Sequence, residues 1–530
     1  MILDKPPCAL ICAGFFCLVV ALGGDAQAAQ VYPGCAVPPT TFNHVWYVDP
    51  VNGKTVSAGG LGTQAAPWNS LQAVFSASSG YKYPLLTTAP YVRNPTTGLF
   101  SPGPNADPIQ PGDEILLMSG NYGDIVIGSQ YGGANNSPTF VTIAAAPGQA
   151  PVLTLLHIMS SSGFVVSGLK VQSLGAGRIP LVSVNSAGPT HPTSNIILHS
   201  LNVSSADPSV YATWTQDQWV ANTRVGVSAK GSNNTTCVAV VDSHITGNHF
   251  GLEVFANNML VSGNEIDHFG DDGIDYGASD ILITRNYIHE SMDWKNGAHM
   301  DGMQGYPGAS SNVVIDSNRV IRQTDPKLPF PNYLQGIDAF DGDWTNLTVT
   351  NNVVVTSACW GISFSSVHGG KIINNTVLAD GLLPQPGNCK PLVAVGNKTH
   401  QGSPSSDVII RNNIANGLNI YNLDPNMTMD HNICLGINGK CQIVTYVNGK
   451  LDWGTITPGM HGDHNIIDGR GASGMFVNFD PGKFVFDLRL RPGAPAIGAG
   501  NPAEAPSVDF TGATRGSQVD VGAYQYAPLK

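Results

Sequence analysis

The sequence predicts an all-β protein built as a parallel β-helix, a solenoid in which short strands stack coil upon coil. The first observation is composition. The 530 residues include 61 Gly and 37 Pro, and only 12% are charged, against about 25% in an ordinary soluble domain. Such a composition suits short strands joined by tight turns. The second observation is a repeat with a basic spacing of about 20 residues, which is typical of solenoid coils.

The repeat is marked by asparagine. Each copy is a Val- and Ile-rich stretch that ends at an Asn, followed one residue later by Val, Ile or a small residue. The marker residues are Asn264, Asn286, Asn318, Asn352, Asn375, Asn413 and Asn432. Two looser copies place Leu201 and Ser243 at the marker position. We expect the marker amides to stack as an internal ladder at a bend, where they satisfy one another and the backbone. Their predicted role is structural.

The ends of the chain predict caps and an export signal. Trp68, Leu71, Val74 and Phe75 have helical spacing within residues 68–79, which predicts a helix that covers the open amino end of the solenoid. Lys5, an apolar run over residues 8–24 and a small-residue site ending at Ala28 are typical of a signal peptide cleaved after Ala28. The predicted boundaries are 1–28 signal peptide, 29–150 cap and first coils, 151–480 β-helix with active-site insertions, and 481–530 C-terminal capping segment.

Charge and export exclude several partners. The formal charge of −12 disfavours nucleic acid, which needs clustered Lys and Arg. The apolar run is shorter than the roughly 20 residues of a membrane span, so we expect no membrane association after cleavage and a secreted or periplasmic monomer. Six cysteines remain in the mature chain, an even number that suits an oxidising compartment. Cys434 and Cys441 are close enough for a local bridge, and the pairing of Cys35, Cys237, Cys359 and Cys389 stays open. The sequence has no Cys-x-x-Cys pair, which disfavours a zinc site.

A second pattern, Gly-apolar-x, recurs between the markers and predicts which side chains face outward. Side chains alternate along a strand, so an inward apolar residue places the next residue outside. The inward column is Val227, Leu252, Ile274, Met303, Ile337 and Ile362. The outward column is Ser228, Glu253, Asp275, Gln304, Asp338 and Ser363. Two residues further on, the outward positions are Lys230, Phe255, Gly277, Tyr306, Phe340 and Ser365.

The outward columns concentrate acids beside aromatic rings. With coils about 4.8 Å apart, Glu253 and Asp275 should be neighbours, and Asp275 and Asp338 should lie about 10 Å apart across Gln304. Asp271, Asp272 and Asp301 add carboxylates to the same strands. Like charges this close need a cation or a proton between them. The rings of Phe255, Tyr306 and Phe340 are stacking platforms for sugars, so the pattern indicates a polysaccharide ligand.

Two long insertions open onto the same strands, as loops that carry function often do. Their sequences are HESMDWKNGAHMDG and RQTDPKLPFPNYLQG, and the polar and aromatic residues they bring are His289, Trp294, Lys295, His299, Arg322, Lys327 and Tyr333.

The chain resembles secreted right-handed parallel β-helix enzymes that act on polysaccharides. The segments that carry the resemblance are WYVDPVNGK, APWNSLQAV, PGDEILLMSGNYGDIVI, the coils, and FDLRLRPGAPAIGAGNP with RGSQVDVGAYQY. Their specificity is high for the fold and low for the reaction.

The segment GDDGIDYG is similar to the Asp-Asp-Gly-Phe-Asp motif of family 9 polysaccharide lyases. That resemblance implies Ca²⁺ on Asp271, Asp272 and Asp275, and β-elimination from a uronic-acid glycan. The family's base, a Lys, is replaced here by Gln304, and Phe250 stands where the family has a further Asp.

The candidate residues follow from this resemblance and from the columns. Candidates for catalysis are Lys295, Arg322, Asp301 and Asp338. Candidates for substrate binding are Glu253, Phe255, Gln304, Tyr306, Phe340 and His299.

Two other functions stay open. The Asp pair also resembles, more distantly, family 28 glycoside hydrolases, in which carboxylates on successive coils act as acid and base. Asp275 and Asp338 would then suit an inverting enzyme, whose carboxyl groups are roughly 6.5–9.5 Å apart, although the Gly-His-Gly and Arg-Ile-Lys motifs of that family are absent. The third alternative is a non-catalytic glycan-binding protein with the same fold.

Overall fold

The computed structural model describes most of the chain. The described residues are 31–75, 92–93, 100–101, 109, 111–128, 140–175, 179–188, 192–230, 234–295, 299–306, 308–383, 389–396, 402–420, 426–436, 441–447, 450–456 and 464–528. The predicted signal peptide and residues 76–79 of the predicted capping helix lie outside them, and the predicted domain boundaries stay predictions. By its contacts the chain forms two compact units. Within the described residues, the N-terminal unit comprises 31–211 and 220–265, and the C-terminal unit comprises 212–219 and 266–528.

The N-terminal unit consists of three parallel sheets, to which each coil contributes one strand. Sheet one contains Val45–Val48, Glu114–Leu117, Val141–Ala145, Ser162–Ser167, Thr193–His199, Thr235–Val241 and Met259–Ser262. Sheet two contains Gly120–Asn121, Pro151–Leu153, Lys170–Gln172, Asn202–Ser204 and His244–Thr246. Sheet three contains Asp124–Gly128, Leu155–Met159, Val182–Asn185, Val227–Ala229 and Leu252–Val254.

The C-terminal unit repeats the same three sheets. Sheet one contains Ile281–Thr284, Ala309–Asp316, Asp343–Thr350, Val367–His368, Lys371–Ile373, Ile409–Arg411 and Thr428–Asp430. Sheet two contains Glu265–Phe269, Tyr287–Ser291, Arg319–Ile321, Val353–Thr356, Thr376–Ala379, Ile414–Ala415, Ile433–Cys434 and Ile466–Ile467. Sheet three contains Ile274–Tyr276, Met300–Gly305, Leu334–Ala339, Trp360–Ser365, Leu392–Gly396, Gly417–Ile420, Cys441–Val447 and Lys450–Ile456, of which the last two pair antiparallel. The predicted fold, a right-handed parallel β-helix, is confirmed.

In the described residues, the remaining elements are two hairpins and six short helices. The hairpins pair Val92–Arg93 with Phe100–Ser101, and Phe476–Asp480 with Val485–Leu490. The α-helices are Leu71–Phe75, Gln216–Asn222 and Gly471–Met475, and the 3-10 helices are Val56–Ala58, Pro208–Val210 and Pro481–Lys483. None of the described helices is long and apolar enough to span a bilayer.

The helix Leu71–Phe75 packs on the first strand of sheet three, as a predicted cap would, but Trp68 is not part of it: its backbone N–H bonds to the Tyr47 carbonyl at 3.0 Å in an isolated β-bridge. Leu71, Val74 and Phe75 are buried. The side chain of Gln72 pairs with the backbone of the edge strand: its Oε1 accepts from the Val126 N–H at 2.6 Å, and its Nε2 donates to the Val126 carbonyl at 3.3 Å. This amide satisfies backbone groups that an exposed sheet edge would leave open to another chain.

The asparagine ladder is present and runs one rung further than predicted. From Asn318 to Asn465, each marker Oδ1 accepts from both the backbone N–H and the side-chain Nδ2 of the marker one coil earlier, as Asn375 does from Asn352 at 2.9 and 3.0 Å. The same pair of hydrogen bonds joins Asn413 to Asn432 and Asn432 to Asn465. The sequence did not reveal Asn465 because an insertion separates it from the preceding coil. The markers from Asn264 to Asn432 are buried. Their side-chain amides therefore supply hydrogen bonds that water cannot provide inside the coil.

The glycine column has a steric cause. A Cβ atom at Gly273 or Gly302 would lie 2.7 or 2.8 Å from the carbonyl oxygen of the corresponding glycine in the next coil. At Gly302 it would also meet Val320 of sheet two at 2.4 Å. Sheets two and three therefore meet at an edge too close for any side chain, and glycine lets successive coils keep one register.

Three disulfides join the six cysteines of the described residues: Cys35–Cys237, Cys359–Cys389 and Cys434–Cys441. The local Cys434–Cys441 bridge is thus confirmed, and the structure supplies the two pairings that the sequence left open. Disulfides of this number are typical of exported proteins.

The C-terminal segment lies along the coils of its unit. Asn374 Nδ2 donates to the carbonyls of Asp520 and Gly522 at 2.9 and 3.0 Å, and Arg515 Nη2 donates to Asn351 Oδ1 at 3.0 Å. Beneath this segment Ile321, Val355, Leu378, Ile414 and Ile433 of sheet two are buried in one apolar cluster. The segment therefore covers the outer face of sheet two, which would otherwise expose an apolar stripe.

We predict that Asn375→Ala lowers the free energy of unfolding by about 3 kcal/mol, because it leaves two buried donors of Asn352 unsatisfied and each such group costs about 1–3 kcal/mol. The measurement is urea unfolding followed by circular dichroism. Asn478→Ala, at an exposed asparagine of the hairpin, is the control and should change stability by less than about 0.5 kcal/mol. Equal losses in the two variants would contradict a ladder that stabilises the coils.

Candidate active site

Sheet three of the C-terminal unit has the register that the sequence predicts. Asp275 pairs with Gln304, Gln304 with Asp338, and Asp338 with Ser363. The alternate positions Ile274, Met303, Ile337 and Ile362 are fully buried in the coil interior. Strict alternation therefore sends the side chains of the acidic column to the other side of the sheet.

These acids are outward but not exposed. The exposed fractions of Asp301, Asp338 and Asp275 are 0%, 1% and 2%, whereas the sequence indicated an open acidic face. Asp272 Oδ1 accepts a hydrogen bond from the backbone N–H of Asp301 at 2.9 Å, which ties the first two coils of the site together. The carboxyl group of Asp272 faces that of Asp275, and the carboxyl group of Asp338 faces that of Asp301. We call these four residues the acidic cluster.

Burial and mutual repulsion set the protonation of the acidic cluster. Burial raises the pKa of Asp272 well above its usual range, and the charges of Asp275 and Asp301 raise it further. Burial also raises the pKa of Asp338, and the adjacent Asp301 carboxylate adds to the effect. Burial and the neighbouring carboxyl group therefore both favour the protonated form of Asp338.

The acidic cluster has few compensating partners. In the described part of the chain, Asp272, Asp301 and Asp338 form no ion pair with Lys or Arg. Neither carboxyl oxygen of Asp338 accepts a hydrogen bond from an N–H or hydroxyl donor, and neither does Asp301 Oδ1. Buried carboxyl groups left in this state are costly, so a shared proton or a cation must offset their repulsion.

The donor set suits a hard cation. Asp271, Asp272 and Asp275 are all buried carboxyl groups, and carboxylate oxygens are the ligands that Ca²⁺ prefers. In the described residues, oxygens from these three side chains do not all lie within 4.8 Å of one another. An ion shared by all three would draw the carboxylates closer together.

His299 stands at the mouth of the acidic cluster. Its Nδ1 lies 3.2 Å from Asp301 Oδ2, and its side chain is 67% exposed while that of Asp301 is fully buried. The hydrogen bond to Asp301 raises the pKa of His299, burial opposes it, and the charges of Asp301, Asp271 and Asp341 raise it again. Asp341 is a contributor that the sequence patterns did not identify, because it follows its strand outside both columns.

Aromatic side chains flank the acids. Phe340 and Trp360 are half-buried and contact each other edge to face at 5.2 Å. Tyr306 is half-buried, and its backbone N–H bonds to the Tyr276 carbonyl at 2.8 Å. Below the acids, the Tyr276 hydroxyl donates to the Asp338 carbonyl at 2.9 Å. Half-buried rings therefore lie next to the column, and such rings can stack on sugar faces.

The two predicted basic candidates occupy different environments. Arg322 is 1% exposed, and its guanidinium is paired with the buried Asp380. Lys295 is exposed at a turn, where its backbone N–H bonds to Asp293 Oδ1 at 2.8 Å. Neither is in contact with the acidic cluster through a described hydrogen bond or ion pair.

The other insertion residues are mostly structural or exposed. Trp294 is buried against Gly270, where a Cβ atom would lie 1.5 Å from its ring. His289 is buried with its Nδ1 3.2 Å from Glu290 Oε1. Lys327 and Tyr333 are exposed.

Glu253 and Phe255 belong to the N-terminal unit and form a site of their own. Glu253 is buried and paired with Lys230, whose Nζ also lies 5.2 Å above the ring of Phe255. Lys230 thus forms an ion pair with Glu253. The two residues stand in neighbouring outward columns, but their pairing was not predicted from the sequence. The relation of Glu253 to Asp275 stays a prediction, since the two residues belong to different units.

The column also extends beyond the residues that the sequence assigned. Ser363 pairs with Ala394, and Ala394 with Asn419. Ser363 Oγ and Asn419 Nδ2 are buried without a hydrogen-bond partner in the described residues. The Gly-apolar-x pattern is broken at Leu392-Val393-Ala394, which lacks the glycine, and it resumes at Gly417-Leu418-Asn419 after a long insertion.

Comparison with known proteins supports the architecture. The family model described as "Right handed beta helix region" matches residues 220–400, which is less than half of the chain. No curated protein sequence matches it.

Several solved structures are similar at low identity. A pectate lyase, Pel9A, is 14% identical with a TM-score of 0.47, covering 92% of this chain and 97% of that one. A GH136 lacto-N-biosidase from Eubacterium ramulus is 13% identical with a TM-score of 0.38, covering 71% and 64%. PfbA, a surface adhesin of Streptococcus pneumoniae, is 10% identical with a TM-score of 0.35, covering 67% and 89%. Likenesses at this level do not distinguish a lyase from a glycosidase or an adhesin.

Proposed function

We propose that the protein is a glycan-cleaving enzyme and that the acidic cluster is its active site. The observation that carries this proposal is the pairing of buried carboxyl groups, Asp272 with Asp275 and Asp301 with Asp338. A purely structural site would be more stable with neutral side chains of the same shape, because buried like charges cost free energy. Strongly perturbed acids beside aromatic rings are typical of catalytic sites that bind sugars.

The reaction we favour is β-elimination from a uronic-acid-containing polysaccharide. A calcium ion held by Asp271, Asp272 and Asp275 would neutralise the substrate carboxylate and acidify the adjacent C–H group. The half-buried rings of Tyr306 and Phe340 would stack on sugar faces, and Gln304, between two acids of the column, would bond to a hydroxyl. We assign Arg322 a structural role with Asp380.

Hydrolysis by paired carboxyl groups is the second candidate, and the protonation of Asp338 favours it. A carboxyl group that keeps its proton at neutral pH is suited to donate it to a leaving oxygen. Asp275 lies two coils away in the same column, so the two would be about 10 Å apart by coil spacing. That separation approaches the upper limit for an inverting pair.

We predict that Asp275→Asn lowers kcat at least about 10³-fold, because the change removes a charge from the reacting centre. Purified protein is incubated with polygalacturonate, alginate and xylan, with and without EDTA, and both ultraviolet absorbance of unsaturated uronate and new reducing ends are followed. Elimination that is lost in EDTA and restored by Ca²⁺ supports the favoured reaction, whereas reducing ends without absorbance support hydrolysis.

The matched control for this experiment is Asp280→Asn, the same change just outside the acidic cluster, where Asp280 Oδ1 accepts a hydrogen bond from Asn312. It should retain wild-type kcat. Normal activity in Asp275→Asn would place the active site elsewhere.

We predict that Asp338→Asn raises the melting temperature at neutral pH. The pKa of Asp338 is raised in the folded protein, so the folded state holds a proton that the unfolded state releases above about pH 4. Stability is therefore complete below that pH and falls as the pH rises, by about 1.4 kcal/mol for each pKa unit of the shift. The amide cannot ionise, so its profile should be flatter.

Thermal unfolding in EDTA between about pH 4 and pH 8 measures this difference. Asp280→Asn again serves as the control and should follow the wild-type profile. An unchanged pH dependence in Asp338→Asn would mean that this carboxyl group does not hold the proton.

A further inference from the structure

We propose that His299 is the base that removes the substrate proton and that Asp301 positions it. This inference rests on the proposed function and deepens it, since the favoured elimination requires a base and the family's lysine is absent from this chain. The geometry that carries it is a carboxyl–imidazole pair in which the Asp301 side chain is fully buried and the His299 side chain is exposed to solvent.

The hydrogen bond to Asp301 determines which nitrogen of His299 is available. Nδ1 lies 3.2 Å from Asp301 Oδ2, and a carboxylate accepts hydrogen bonds but cannot donate them when ionised. Nδ1 therefore carries the hydrogen, and the lone pair is on Nε2. Because the side chain is 67% exposed, Nε2 can reach a substrate lying over the column.

Charges from three successive coils surround the imidazole. Asp301 lies on the strand Met300–Gly305, Asp271 precedes the strand Ile274–Tyr276, and Asp341 follows the strand Leu334–Ala339. Asp301 and Asp341 favour the positive charge that His299 gains when it accepts a proton, whereas a calcium ion held by Asp271 would offset the charge of that third acid.

The neighbouring polar groups are less suited to this task. Gln304 has an amide, which does not accept a proton at neutral pH. Arg322 is committed to Asp380. Asp301 and Asp338 are 0% and 1% exposed, so neither carboxyl group is as accessible to a substrate as His299.

The step balances without a further reactant except water. His299 Nε2 takes the proton from the carbon next to the uronate carboxyl group, and the C–H electron pair becomes a carbon–carbon double bond. The bond from the adjacent carbon to the glycosidic oxygen breaks, and that oxygen keeps the electron pair and takes a proton from water. His299 then releases its proton to solvent, which its exposure permits.

The test is kinetic and uses the full-length protein on whichever of polygalacturonate and alginate the wild type cleaves. We predict that His299→Ala lowers kcat about 10²–10⁴-fold, with KM changed less than kcat, and that added imidazole restores part of the rate. His299→Gln should also remove the acidic limb of the pH–rate profile. Asp301→Asn should keep this limb but move it to lower pH, because losing the carboxylate lowers the pKa of His299.

The matched control is His268→Gln, since His268 also pairs with an aspartate, Asp267, in the same unit. It should leave kcat and the pH profile unchanged. Thermal unfolding checks that each variant folds, and a residue with a merely structural role would give neither imidazole rescue nor a shifted acidic limb.

The outcomes separate the inference from the function on which it rests. If the wild type cleaves neither uronate polymer, the proposed elimination is wrong. If the wild type cleaves one of them and His299→Gln keeps both kcat and the acidic limb, the elimination stands and the role of His299 is wrong.

Discussion

The in-register stacking of parallel coils is the constraint on which the other features depend. Buried asparagines enforce it, because each marker Oδ1 from Asn318 onward binds two donors of the previous coil and a slipped coil would leave both donors unsatisfied. Glycines at the edge between sheets two and three permit it, because a side chain there would strike the next coil. With register fixed, every position of the repeat becomes a straight column along its unit.

A straight column can concentrate chemistry that a less regular fold would scatter. Asp275 and Asp338 are far apart in sequence, yet they occupy equivalent positions on strands separated by one coil. Their repulsion is tolerable only because the scaffold is held by many buried hydrogen bonds. The low charge of the chain as a whole fits this arrangement, since stacked coils use uncharged Asn, Ser and Thr where other folds use Lys and Glu.

The C-terminal segment and the two insertions lie outside the repeat, and they pack against the coils of the C-terminal unit. The C-terminal segment covers sheet two and buries its apolar outer stripe. The first insertion ends at His299, which sets an exposed imidazole against the buried Asp301. In the second insertion, the Thr324 and Asp325 N–H groups bond to Glu290 Oε1 at 2.8 and 3.0 Å. The coils thus hold the buried acids in register, while the first insertion adds an exposed imidazole next to them.

The sequence by itself determined the coil, its register and the membership of the acidic column. These features depend on local periodicity, which is visible as marker Asn residues and as Gly-apolar-x alternation. Tertiary structure alone decided how deeply the acids are buried, which of them face one another, and which described basic side chains are already paired. Arg322 illustrates the difference: nothing near it in sequence predicts Asp380, which lies on a later coil. His299 is a second example, because only the packing of its insertion shows that Nδ1 lies against Asp301 while the side chain is largely exposed.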